Sequence, residues 1–164
     1  MAKAAREHHY EVEVKWTGNH GSGTTNYRAY GRDHTISAPM KPSIGGSSDP
    51  AFLGDNTRWN PEDLLVAALS SCHMLWYLHL CSVNGIAVTE YIDKAHGMMV
   101  EDANAGGRFT KVVLVPSVTV RVTDDIDLAL SLHHKAHAKC FIANSINFPI
   151  EIRPIIERGG ETTA

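Results

Sequence analysis

Polar and apolar positions along the chain change period several times, and each change marks an element. Residues 10–16 alternate Tyr10, Val12, Val14 and Trp16 against Glu11, Glu13 and Lys15, the period of a half-buried strand. Gly18, Asn19, His20, Gly21, Ser22 and Gly23 then form a turn rich in residues that tolerate positive φ. Residues 24–36 read as a second strand, with Tyr27, Ala29 and Gly31 on one face. Residues 39–60 carry Pro39, Pro42, Gly45, Gly46, Pro50 and Gly54 and read as a long connector, a kind of segment that often holds function.

Asn60-Pro61-Glu62-Asp63 is a helix start. Asn60 can cap, proline suits the first helical position, and two acids sit where the helix dipole favours them. The helix is expected to stop at Asn84-Gly85. Its apolar residues, from Leu64 and Leu65 through Leu69, Cys72, Trp76 and Leu80 to Val83, surround almost the whole axis. One small sheet covers one side only, so a second copy of the chain is expected on another. Residues 87–100 and 109–122 follow as two strands joined by a turn at 104–107, the second with a break at Pro116. A second helix opens at Asp124 or Asp125 and runs towards Lys139, a short segment spans 140–146, and a final strand spans 149–157. The order β-β-α-β-β-α-β predicts an α+β fold in a single domain over residues 1–164.

Composition narrows the function without naming it. A chain of 164 residues with 43% hydrophobic and 20% charged positions is long enough for one core. A formal charge of −3 gives no electrostatic reason to expect nucleic acid or an anionic membrane. Residues 1–10 lack the apolar stretch of a secretory signal, which makes the cytoplasm the expected compartment. The three cysteines, Cys72, Cys81 and Cys140, are too few and of the wrong parity for a disulfide framework. Packing, metal ligation and redox chemistry stay open for them. Cys81, in a Leu-rich setting, reads as packing. Ten histidines are many for this length, and His133, His137 and Cys140 form an H-x3-H-x2-C grouping compatible with a metal. A surface helix that happens to carry histidines is the plainer reading.

The residues Asn60-Pro61-Glu62-Asp63-Leu64-Leu65, followed by Ala67-Ala68-Leu69-Ser70-Ser71-Cys72-His73, resemble the central helix of the OsmC/Ohr family of osmotically inducible and organic hydroperoxide resistance proteins. The ten-residue step from Glu62 to Cys72 matches that family's pattern, and Lys135-Ala136-His137-Ala138-Lys139-Cys140 resembles the segment before its second cysteine. The resemblance covers most of the chain. It implies a thiol-dependent peroxidase in which Cys72 reduces an organic hydroperoxide and becomes a sulfenic acid, and Cys140 closes a Cys72–Cys140 disulfide. It implies no cofactor, and a small dithiol or a lipoylated protein as reductant. A mid-helix cysteine gains nothing from a helix N-terminus, so a cation must favour its thiolate. The family uses an arginine held by the glutamate, here Glu62. Arg58, in Asn56-Thr57-Arg58, resembles that arginine, with Arg32 as the alternative and Arg28 behind it.

Spacing adds one more expectation. Ten residues of continuous helix separate Glu62 from Cys72 by ~15 Å along the axis. A carboxylate acting beside that sulfur therefore comes from an antiparallel partner helix, which makes the expected assembly an intertwined homodimer with composite sites. A non-enzymatic dimeric module of the same fold is the rival, with metal binding through His133, His137 and Cys140 as its variant.

Overall fold

The computed structural model describes residues 6–102 and 106–159. Residues up to Leu64 gather into one compact unit and residues from Leu65 into a second.

The first unit is a small antiparallel sheet in the order β1 (Glu13–Trp16), β2 (His34–Ser37), β3 (Ile44–Gly46). The strand expected over 24–36 contracts to β2. Residues 17–33 turn back instead, because Tyr27 and Tyr30 wrap the Arg32 guanidinium, 4.3 and 4.2 Å from the two ring centres. The connector expected over 39–60 holds β3 and a single 3-10 turn, Pro50–Phe52, capped by Asp49. Its end is fastened to β3: Ser47 donates its N–H to the Trp59 carbonyl at 2.9 Å, and Trp59 donates to Gly45 at 3.3 Å.

Helix α1 spans Pro61–Val83, 23 residues, as its capping residues predict. Asp63 donates its N–H to the Asn60 side-chain oxygen at 2.7 Å, so Asn60 serves as the cap. Glu62 and Asp63 occupy the first turn. By length and hydropathy α1 would also reach across a bilayer. Its Leu69, His73, Tyr77, Leu80 and Cys81 are instead buried in protein, as in a core helix.

Each long strand expected in the second half is two strands with a break between them. The elements are β4 (Val88–Asp93), β5 (His96–Asp102), β6 (Gly106–Leu114), β7 (Pro116–Val120), α2 (Ile126–Lys139), β8 (Ile150–Ile152) and β9 (Ile155–Arg158). Two three-stranded sheets result, β4-β7-β9 and β5-β6-β8, each with one antiparallel and one parallel pairing. Residues 104 and 105 of the turn expected at 104–107 lie outside the described residues, and Gly106 and Gly107 open β6. The breaks have a chemical cause. Pro116 opposes Asp93 and has no N–H to give the ladder, and Pro154 interrupts the last strand in the same way. Asp93 repairs the gap: its carboxylate accepts the Val115 N–H at 2.7 Å and the Ser70 hydroxyl at 2.5 Å, tying α1 to the kink. Asp125 caps α2 through the Leu128 N–H at 3.0 Å. Among the described residues the architecture is α+β with two α-helices, as expected.

Two core clusters lie in the second unit. One contains Tyr77, Leu80 and Cys81 of α1, Ala129, Leu132 and Ala136 of α2, and Val118 and Val120 of β7. The other contains Leu69 of α1, Val112 and Leu114 of β6, and Cys140. Trp76 packs against both.

Candidate active site

Helical periodicity decides which cysteine goes where. On α1, Val66, Leu69, Cys72 and Trp76 recur at intervals of three and four residues and face the second cluster. Cys140 is the C-cap of α2, where the backbone leaves helical geometry at φ −67° and ψ 114°. That bend turns its side chain into the same cluster, where it is fully buried. Cys72 and Cys140 therefore meet, although 68 positions separate them in sequence (140 − 72). Both are free thiols, and Cys72 is close enough to Cys140 to raise its thiol.

The surroundings of the pair are apolar: Phe109 and Phe148, whose ring centres are 5.3 Å apart, together with Ile142, Ile146 and Ile150. Burial pushes the Cys140 thiol up to about 11. The Ala143 N–H, 3.4 Å from Sγ, pulls the other way, and the adjacent Cys72 sulfur raises it further. Cys140 is thus a thiol, not a thiolate, at neutral pH. Cys72 is only half-buried, which leaves it the more accessible sulfur. Cys81 is buried beside the Tyr77 hydroxyl in the first cluster, and burial raises its thiol too, in line with packing.

The end of α2 closes over this region. Trp76 meets the edge of Phe141 with ring centres 5.6 Å apart, and the Lys139 ammonium stands 5.6 Å from the Trp76 ring centre.

Arg58 and Glu62 belong to the first unit. A turn places Arg58: its N–H donates to the Asp55 carbonyl at 3.2 Å, and its guanidinium Nε lies 3.6 Å from Asp33 and 3.5 Å from Asp55. Thr57, through its hydroxyl and its N–H, and then Arg58 hold the Asp55 carboxyl below the usual carboxylate range. The guanidinium lies over Gly45, where any Cβ would come within 2.8 Å of Nη1. It remains 38% exposed. Arg32 is committed elsewhere: it donates to the Tyr30 and Tyr27 carbonyls at 2.5 and 2.7 Å and is clasped by both rings. Arg28 is exposed. Glu62 is half-buried in the first turn of α1.

The metal alternative needs correction. His133 is not a surface residue: it is buried, and its Nδ1 is 3.0 Å from Nε2 of His73 on α1. Among the described residues no three His, Cys, Asp or Glu side chains converge as a metal site, so His133, His137 and Cys140 do not form one. The His133 ring lies parallel to Tyr77, with centres 3.8 Å apart, and nearly parallel to His73. Burial is the main reason both imidazoles stay neutral, falling to about 4 for His73 and about 3 for His133. His73 occurs in the sequence on the stripe Leu69, His73, Tyr77, Leu80 and His133 on the stripe Ala129, Leu132, His133, Ala136. One histidine on each of two apolar stripes was the signal for this pair.

A family model described as OsmC-like protein matches residues 54–154. Among solved structures, an OsmC-like protein of unknown function from Vibrio cholerae shares 31% identity, covering 91% of this chain and all of that one, with a TM-score of 0.83. An organic hydroperoxide resistance protein from Elizabethkingia anophelis has the same fold at 19% identity, with 94% of this chain covered, 100% of that one and a TM-score of 0.66. Among curated proteins, the uncharacterized protein YmaD of Bacillus subtilis is 24% identical over 161 residues, covering 94% of this chain and 99% of its own.

Proposed function

Because the chain belongs to the OsmC-like protein family, we propose that it is a thiol peroxidase that reduces organic hydroperoxides to alcohols. The observation that carries this reading is the meeting of Cys72 and Cys140 in an apolar cluster, with the first accessible and the second buried. The same-fold protein of Elizabethkingia anophelis, named for organic hydroperoxide resistance, supports it.

The chemistry follows from the different settings of the two sulfurs. The Cys72 thiolate attacks the distal oxygen of ROOH, the O–O bond breaks, and the departing alkoxide takes a proton to leave as ROH. Cys72 is then a sulfenic acid. The Cys140 sulfur attacks it, the S–O bond breaks, and the Cys140 proton leaves with the hydroxyl as water. A dithiol reductant, a small molecule or a lipoyl group on a protein, returns two electrons by exchange and restores both thiols. The proton that Cys140 gives up as its sulfur attacks is the one that the leaving water needs. Aromatic and branched aliphatic neighbours favour lipophilic hydroperoxides over H2O2.

Arg58 is the arginine of this reading and Glu62 its carboxylate partner, supplied to Cys72 by a second copy of the chain. Two observations support a homodimer. The continuous α1 sets Glu62 ~15 Å along the axis from Cys72. Ala67, Ser71, Leu75 and His79 recur every four residues as an exposed stripe of α1, with Leu75 63% exposed, and the small residues among them allow a second helix to come close.

The test is consumption of cumene hydroperoxide and of H2O2 with dithiothreitol as reductant. The expected result is turnover that prefers the organic peroxide and disappears in Cys72→Ser. Consumption no faster than that of Cys72→Ser contradicts the proposal.

A further inference from the structure

The buried histidine pair has a feature that stability does not explain. His73 Nδ1 and His133 Nε2, the two outer nitrogens, have no hydrogen-bond partner among the described residues although both side chains are buried. Two leucines in the same space would bury as much apolar surface and leave nothing unsatisfied. A buried polar pair supplies direction instead: a hydrogen bond allows one register of the two helices, whereas apolar contact tolerates sliding. The 3.0 Å separation is that of a hydrogen bond between the two rings.

The place of the pair says what that register serves. His73 follows Cys72 directly on α1, where the two core clusters meet. His133 lies seven residues before Cys140, two turns and ~10 Å along α2, on nearly the same side of the helix. A helix of this length moves as a body, so a slip of α2 along α1 at His133 carries Cys140 past Cys72 by the same distance. Disulfide formation ends at a sulfur–sulfur distance of ~2.05 Å within a narrow range of dihedral angles, and tolerates little such slip. The contact of Trp76 with Phe141, just beyond α2, is looser, with Phe141 65% exposed.

The geometry points to His73 and His133 as positioning residues for the resolving step: their hydrogen bond fixes α2 against α1 so that the Cys140 thiol stands ready for the Cys72 sulfenic acid. Neither touches substrate. This inference rests on the peroxidase reading and adds to it a separate control over the second half of the cycle, Cys–SOH plus Cys–SH giving the disulfide and water.

The test follows one equivalent of cumene hydroperoxide in a single turnover, measuring loss of the Cys72 thiol and appearance of the Cys72–Cys140 disulfide. In His133→Phe, which retains a ring against Tyr77 and loses the nitrogen, thiol loss is expected at close to the unmodified rate. Disulfide formation is expected about tenfold slower, with the sulfenic acid trapped by dimedone and sulfinic acid formed at higher peroxide. The double variant His73→Gln/His133→Asn places amide groups where Nε2 and Nδ1 were, and is expected to restore the disulfide rate. A disulfide rate in His133→Phe equal to that of the unmodified protein overturns the inference. So does a double variant that folds but stays tenfold slow, which also decides the matter if His133→Phe does not fold. Absence of any Cys72–Cys140 disulfide in the unmodified protein would refute the peroxidase reading itself, a distinguishable result.

Discussion

On one face of α1, Leu69, Cys72 and Trp76 meet a cluster of branched aliphatic and aromatic side chains that also holds Cys140. On the adjoining face, His73, the residue after Cys72, and Tyr77 meet His133 in a stack of rings, and the His73–His133 hydrogen bond joins α1 to α2. The first face sets the two sulfurs among apolar side chains. The second uses a directional contact, with two outer nitrogens that have no partner among the described residues. The difference teaches that burial in this domain serves two purposes. Apolar burial near Cys140 keeps a thiol protonated, and polar burial near His133 keeps two helices in register.

The largest effect expected on this comparison comes from the sulfur side. Cys72→Ser should abolish hydroperoxide reduction, while Cys140→Ser should still consume one equivalent and then progress to Cys72 sulfinic acid, seen as a mass gain of two oxygens. Arg58→Ala should slow Cys72 oxidation by about 10²-fold, with Arg58→Lys in between, because a guanidinium pairs with both a carboxylate and a thiolate and an ammonium does so less well. Stopped-flow oxidation with the dimer checked by light scattering measures this, and unchanged kinetics would move the role to Arg32 or Arg28. Leu69→Ala, at the fully buried centre of the sulfur side, should cost about 3 kcal/mol in denaturant unfolding. Leu75→Ala, on the exposed stripe, should cost under about 0.5 kcal/mol at protein concentrations where the dimer is fully dissociated, and should raise the dimer dissociation constant.

The histidine side predicts a pH dependence of stability. Unfolded, both imidazoles take up a proton near pH 6.5; folded, they resist until about 4 for His73 and about 3 for His133. Between those values the unfolded chain binds more protons, so stability rises with pH. It is complete above about 6.5 and falls as the solution is acidified towards pH 4. Each histidine contributes a slope of at most about 1.4 kcal/mol per pH unit. The groups around the pair are Tyr77 on α1, Tyr91 on β4, and His134 and His137 on α2; the two tyrosines are raised further by burial and stay neutral throughout this window. Thermal melts from pH 7 to 4 should therefore show a steep decline that flattens in His73→Gln/His133→Asn. Equal slopes in both proteins would contradict the assignment.

How far the sequence led depended on whether a residue's partners were close to it along the chain. Asn60, Pro61 and Asp125 act within four residues of themselves, and both helix starts follow from them. The breaks at Val115 and Pro154 were only half legible. Pro116 marks one, but its repair by Asp93, 22 positions before Val115, depends on a strand pairing that local pattern does not reveal. Residues 24–33 of the expected strand turn back because Arg32 is caged by Tyr27 and Tyr30, a local arrangement of long side chains with no periodic signature. At the site, the resemblance carried Cys72 and Cys140 together, while His73 and His133 went unread as a pair. A histidine on an apolar stripe looks like an isolated polar intrusion until the opposite stripe is known to carry its partner.

The most direct measurement is peptide mapping of the oxidised protein. After one equivalent of cumene hydroperoxide and alkylation of the remaining thiols, the account predicts the Cys72 and Cys140 peptides joined by a disulfide, with Cys81 alkylated. Cys72 and Cys140 both recovered as alkylated thiols, or Cys81 joined in place of Cys140, would contradict it.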